Sequence, residues 1–223
     1  MLDYGLLIQR IAILALPIIF AVTLHEIAHG WVANKLGDPT ARLMGRLTLN
    51  PLAHIDPFGT IILPLLLVFS SAGLLFGYAK PVPVNSRNLR NPKRDMIWVA
   101  AAGPATNLLL ATVSALLFRL LITFALSEKG IEAFLLIPLK EMMKASVQIN
   151  ILLAVINFVP IPPADGGRIA VGVLPRHLAE PYSRVEPYGM LLLMVLIFFD
   201  PFGIYRQVVW PFIRMLYNIL LLY

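Results

Sequence analysis

Cysteine is absent from the 223 residues, which excludes a disulfide framework, a thiolate-type zinc site and a thiol nucleophile. Any metal must therefore be held by histidine and carboxylate. Charge is scarce as well: Asp, Glu, Lys and Arg make up 13% of the chain and hydrophobic residues 59%, against about 25% and about 45–50% in ordinary soluble domains. With a mean hydropathy of +0.80, disorder is excluded and a soluble globule is disfavoured. Acid is scarcer than base, 12 against 18, for a net charge of +6. The cations are scattered between apolar runs rather than gathered on one aromatic-studded face, so nucleic acid is not an expected partner and the excess reads as a membrane-topology signal. No internal repeat or low-complexity tract divides the chain, and its length suits one integral-membrane domain over residues 1–223.

Four stretches are long and apolar enough to reach across a hydrocarbon core of about 30 Å: residues 6–31, 58–79, 96–118 and 145–164. Residues 188–199 and 207–223, the latter interrupted by Arg214, are shorter candidates. The expected fold is an all-α polytopic membrane protein, a bundle of about four to six transmembrane helices with its core over residues 6–175 and C-terminal helices over 187–223. The first stretch lacks the basic start and small-residue cleavage site of a signal peptide, so it is expected to stay in the mature protein. The loops at 35–56 and 80–95 are both basic, and the positive-inside tendency assigns both to the cytoplasm. A single crossing by residues 58–79 conflicts with that, whereas a re-entrant or hairpin path, with weak points at Pro64 and Ser70-Ser71-Ala72-Gly73, agrees; both paths stay open. Alternation in Arg46-Leu47-Thr48-Leu49 and the spaced prolines of Ala79-Lys80-Pro81-Val82-Pro83-Val84 predict a small β element at the membrane surface.

His25-Glu26-Ile27-Ala28-His29 stands at the polar end of the first stretch. Residues four apart on a helix differ by about 40° in azimuth, so both imidazoles point the same way and can grip one zinc. Glu26, adjacent to the first ligand, is placed to take a proton from zinc-bound water. A plain polar helix end is the competing reading. Ile27, Ala28, Trp31, Val32 and Ala33 continue the apolar pattern past the cluster, however, which sets ionisable groups at membrane depth, where they are costly and usually functional.

Two histidines need a third protein ligand, and Asp165 is the only acid between Glu141 and Glu180. It follows Pro160, Pro162 and Pro163, which forbid regular helix; such backbone is tolerated at membrane depth only when buried in protein or lining a wet cavity. Gly166 and Gly167 permit a tight turn beside it. Asp165 as the cap of a helix beginning near Arg168 is an equally good reading. With two neutral imidazoles and one carboxylate, zinc would carry a single net positive charge, which Glu26 can offset. Asn157 is read either as an oxyanion donor or as a helix-terminating residue. His54 is read as a structural residue of the turn around Asp56, with a supporting or substitute ligand role as the alternative. His177 reads as a surface residue, and Gly103-Pro104 among Ala100, Ala101, Ala102 and Ala105 as close helix packing.

Together His25-Glu26-x-x-His29, Ala102-Gly103-Pro104-Ala105-Thr106-Asn107 and Asn157-x-x-Pro160-x-Pro162-Pro163-x-Asp165-Gly166-Gly167 resemble the site-2 protease family of intramembrane zinc metalloproteases, in its compact bacterial or archaeal form. The resemblance implies Zn2+ held by His25, His29 and Asp165, Glu26 as general base and acid, and hydrolysis of peptide bonds in transmembrane substrates near the cytosolic face of a prokaryotic cell membrane. The implied partners are transmembrane proteins and the lipid bilayer; oligomeric state and substrate identity are not implied. The length leaves no room for the PDZ-type domain of some relatives, and residues 58–79 are an addition to the smallest form of the family. A metal transporter, or a silent relative acting as a scaffold, is the alternative. In a transporter the same ligands would form a transit site.

Overall fold

A computed structural model describes residues 4–62, 78–124 and 131–221. Three long helices form its centre: α1 (Tyr4–Lys35), followed by the single turn α2 (Thr40–Leu43), then α3 (Pro92–Phe124) and α4 (Ile131–Phe158). Each long helix carries one internal proline, Pro17, Pro104 and Pro138 in turn, a feature membrane helices accept because neighbours satisfy the freed carbonyls. α1 is stopped by Gly37, whose φ of +114° suits glycine. α3 opens on a proline with Asp95 in its first turn, where missing donors cost nothing and negative charge is favoured. α4 ends where Pro160, Pro162 and Pro163 forbid another turn. Its start corrects the sequence expectation of 145–164: the helix reaches back to Ile131 through Lys140, Glu141 and Lys144, good helix formers that hydropathy alone does not detect. Four shorter helices follow, α5 (Asp165–Val173), α6 (Arg176–Ser183), α7 (Glu186–Phe198) and α8 (Trp210–Leu221), the last entered through a π-helical turn at Tyr205–Val209.

Residue pairing fixes the helix directions. His29 meets Val99 and His25 meets Asn107, so α1 and α3 are antiparallel; Asn107 meets Asn150 and Ser114 meets Ser146, so α3 and α4 are antiparallel too. The interfaces are built from small and polar side chains, including Ala21, Ala111, Ala115, Ala154, Asn107 and Asn150, all buried. The outer faces carry exposed Phe20, Leu109, Leu116 and Leu120. Apolar outside and polar inside is the distribution expected of helices solvated by lipid. The π-helical turn and α8 close one side, through Val209 and through Ile213 and Leu221 in turn, against Phe118, Val147 and Ile151. Among the described residues, Ile11–Lys35 and Pro92–Thr123 are the helices long and apolar enough to cross a membrane on their own. The described residues are helical or irregular, and two of their helices have the length and apolarity that a membrane span requires.

Both basic loops lie on one side. Arg90 N–H donates to Leu36 O at 3.2 Å, Lys80 N–H to His54 O at 2.9 Å, and Arg46 Nη2 to Lys80 O at 2.9 Å. Asp38, fully buried, joins the loops by accepting from Asn85 N–H at 2.6 Å, from Asn88 Nδ2 at 2.9 Å, and from the amide and hydroxyl of Thr40. Burial raises its carboxyl, but these donors outweigh burial and hold it below its ordinary value. The stretch at 58–79 begins in a π-helical turn, Pro57–Ile62, and its two ends are tied together: Tyr78 N–H donates to Gly59 O at 3.0 Å and Thr60 Oγ1 to Tyr78 O at 2.9 Å. The segment thus returns to the point it leaves. Its middle, 63–77, with Pro64 and Ser70-Ser71-Ala72-Gly73, lies outside the described residues.

The predicted β element does not form: no strand occurs among the described residues. Pro81 and Pro83 carry no N–H for a ladder, and the donors of the residues before each are used elsewhere, Lys80 on His54 O and Val82 on the Glu26 side chain. Residues 79–84 are an irregular connection bonded at alternate residues.

Candidate metal centre

α1 presents His25 and His29 one turn apart toward α3 and the start of α5. His25 Nε2 and His29 Nε2 are 3.0 Å apart, and Asp165 Oδ2 lies 3.2 Å from the first and 3.3 Å from the second. All three residues are buried. Asp165 is the first residue of α5, where the helix dipole favours a carboxylate. The capping reading of Asp165 does not describe this geometry: Ala164 occupies the cap position and no side chain caps it.

The far side of each ring decides where its proton sits. His29 Nδ1 lies 2.7 Å from Val99 O; a carbonyl only accepts, so Nδ1 carries the hydrogen and a neutral ring turns a lone pair inward from Nε2. His25 Nδ1 lies 2.6 Å from Asn107 Oδ1. The Asn107 amide is oriented by Nδ2, which donates to Ala21 O at 3.2 Å, so oxygen must face the ring and His25 Nδ1 is also the donor. With both rings neutral in these tautomers, two nitrogen lone pairs and a carboxylate oxygen converge with no proton among them. Asp165 Oδ2 accordingly has no hydrogen-bond partner although both rings are within ion-pair distance. Three converging acceptors repel one another unless a cation stands between them, and N, N, O is a donor set suited to zinc with one coordination position left open. Gly103 lines the same space: a Cβ there would come within 2.6 Å of His25 Nε2 and would also strike His29 Nε2.

Glu26, half-buried, lies on the adjoining face of α1, and its Oε2 accepts from Val82 N–H at 2.7 Å. Asn157 sits in the last turn of α4, with Nδ2 donating to Leu153 O of its own helix at 2.9 Å. His54 is buried outside the three-residue cluster of potential ligands, and its Nε2 pairs with Thr48 O at 3.0 Å within its own turn. Asn107, Val99 O and Gly103 are the site neighbours that sequence reasoning did not place here. The available signal was an asparagine inside the charge-free apolar stretch 96–118, where a polar group without a purpose is costly.

The family model for peptidase family M50 matches residues 13–135, a span that holds His25, Glu26, His29, Gly103 and Asn107 but not Asp165. The chain is 40% identical over 201 residues to a Bacillus subtilis (strain 168) protein named "Putative zinc metalloprotease YwhC", covering 90% of this chain and 85% of that protein. It is 30% identical over 185 residues to "Putative zinc metalloprotease Rip2" of Mycolicibacterium smegmatis, and 30% identical over 182 residues to the protein of that name in Mycobacterium tuberculosis (strain H37Rv). The matched regions cover 80% and 79% of this chain but only 64% and 62% of the two Rip2 proteins. No solved structure matches. On the family match and the extent of the likeness to YwhC, the chain belongs to peptidase family M50, the site-2 protease family.

Proposed function

We propose that the chain is a zinc endopeptidase working inside the membrane, cutting peptide bonds within or near transmembrane segments of other membrane proteins on the cytoplasmic side of a prokaryotic cell membrane. The convergence of His25, His29 and Asp165, buried between helices whose outer faces are apolar, carries this reading. The relatives' names, which speak of zinc and proteolysis, support it. The whole chain acts as one multi-pass domain, with four to six spans once the shorter helices are counted.

His25 and His29 through Nε2, and Asp165 through Oδ2, are the residues that hold zinc. Bound there, zinc acts as a Lewis acid that polarises the scissile carbonyl and makes a water acidic near neutral pH. Glu26 takes the proton from the attacking water and returns it to the leaving amine, a role worth about 10²–10⁴ in rate. Asn157 has committed one amide hydrogen to Leu153 O and keeps the second for the substrate carbonyl oxygen as it gains charge. A substrate helix must unwind first, since its carbonyls are engaged. Residues 79–84 run beside Glu26, and an unwound segment that displaces Glu26 from Val82 N–H gains a main-chain donor there with little demand on sequence.

The test is cleavage of a transmembrane model substrate by purified protein in detergent, before chelation, after chelation and after zinc is restored, alongside metal content. About one zinc per chain, less in Asp165→Ala, with cleavage lost and regained with the metal, is the expected result. Zinc flux across vesicles without cleavage would make the protein a transporter. No zinc in the reconstituted parent would overturn the site.

A further inference from the structure

The orientation of Asn107 raises a question that its bond to His25 does not answer. A primary amide can rotate by half a turn, and that rotation would set Nδ2 against His25 Nδ1. The ring would have to move its hydrogen to Nε2, and the inward lone pair would be gone.

A chain of hydrogen bonds opposes that rotation. Asn107 Nδ2 donates both to Ala21 O at 3.2 Å and to Asn150 Oδ1 at 2.8 Å. Asn150 is itself an amide, and its orientation is settled one step further along α4: its Nδ2 donates to Ser146 O at 2.9 Å, so its oxygen must face Asn107. Ser146 Oγ, 3.2 Å from the same Nδ2, is shared with Ser114 Oγ at 2.8 Å. Two main-chain carbonyls on different helices, Ala21 O and Ser146 O, thus dictate through two side-chain amides which nitrogen of His25 bears the hydrogen. Asn107 and Asn150 are 0% and 1% exposed, so water does not compete with these bonds. Packing alone would have been served by leucine at position 150, as at neighbouring interface positions filled by Val147, Ile151 and Ala154.

We infer that Asn150 is a positioning residue for the metal centre: without touching a ligand, it locks the Asn107 amide and thereby holds His25 in the tautomer that presents Nε2 to zinc. This rests on the assignment of His25 as a zinc ligand. Its consequence is that a substitution on α4, two bonds removed from the ring, weakens zinc binding rather than only loosening the fold.

The experiment compares parent, Asn150→Leu and Ser114→Ala, full-length in detergent. Ser114→Ala also deletes a buried hydrogen bond between α3 and α4, but leaves both amides their carbonyls. Zinc affinity is read by chelator competition, ligand geometry by the visible spectrum of the Co2+-substituted protein, and the His25 tautomer by imidazole ¹⁵N shifts of the metal-free protein. Asn150→Leu is expected to bind zinc about tenfold more weakly, with an altered Co2+ spectrum and a loss of the pure Nδ1–H signature, while Ser114→Ala matches the parent. Parent-like zinc binding and tautomer in Asn150→Leu would overturn the inference. So would an equal loss in Ser114→Ala, which would assign the effect to helix packing. If Asn150→Leu does not fold, Asn150→Ala carries the same expectations. Absence of zinc from the parent would instead remove the ligand assignment, and the ¹⁵N comparison would still decide whether Asn150 sets the ring.

Discussion

Glu26 Oε2 accepts a hydrogen bond from the main-chain N–H of Val82 at 2.7 Å, across 56 positions of sequence. The side chain next to His25 is thereby tied to the connection that leads into α3. The bond orients the carboxylate, and it also occupies an N–H that an unwound substrate would use.

Glu26→Gln should separate binding from turnover. The amide keeps an oxygen for Val82 N–H but cannot carry a proton from water to amine. Zinc content is expected to match the parent while cleavage falls by about 10²–10⁴. A variant that still cuts at the parent rate would remove Glu26 from the mechanism.

Gly103→Ala tests the space between the rings. The added methyl group would lie 2.6 Å from His25 Nε2, so the imidazoles must shift or the ion must be excluded. Alanine is favoured over glycine within a helix by about 1 kcal/mol, so helicity should survive while zinc affinity and cleavage are both lost. Titration with zinc followed by circular dichroism of the metal-free protein checks both halves.

Val82→Pro removes the N–H that reaches Glu26. Zinc binding is expected to persist, since the N–H of residue 82 bonds to Glu26 and not to His25, His29 or Asp165, and cleavage of the transmembrane substrate to fall about tenfold or more, as for other losses of a positioned partner. Unchanged kinetics would dismiss residues 79–84 as a substrate-facing element.

Asp38 sets an acid limit on the fold. Its carboxyl is held below its ordinary 3.8 because donors from Thr40, Asn85 and Asn88 outweigh the effect of burial. A lowered folded value means that the stabilisation is complete above 3.8 and is lost as pH falls through the folded value. Asp38→Asn should therefore be less stable than the parent by about 1–3 kcal/mol at neutral pH, with the difference shrinking below pH 3.8. Denaturant unfolding in detergent at several pH values measures it.

The parts legible in the sequence are those governed by short-range periodicity. The four-residue interval between His25 and His29 puts them on one face of any helix, and Pro160, Pro162 and Pro163 end α4 wherever it packs. Asn107 with Ser114 and Ser146 with Asn150 each share a helix face by their spacing, but only the packing of α3 against α4 brings the two faces together, and no interval in the chain encodes that. The expected β element misled for a local reason: alternation along residues 79–84 is real, but prolines at 81 and 83 leave only alternate donors, and a loop carbonyl and a carboxylate claimed them. Conversely, the conflict between two basic loops was visible from charge alone, whereas the pairing of Gly59 and Thr60 with Tyr78, which ties the ends of the intervening segment together, had no signal in the sequence.

That pairing makes residues 58–79 a cassette. Because its entrance and exit are stitched to each other, the direction in which α3 leaves the loop side is independent of what the segment does in between, and the route from Asp56 to Lys80 is already closed at its base. Such an insert can be shortened, lengthened or exchanged without inverting any helix downstream. Its sequence is thus free to diverge toward a particular substrate or neighbour while α1, α3 and α4 stay as they are.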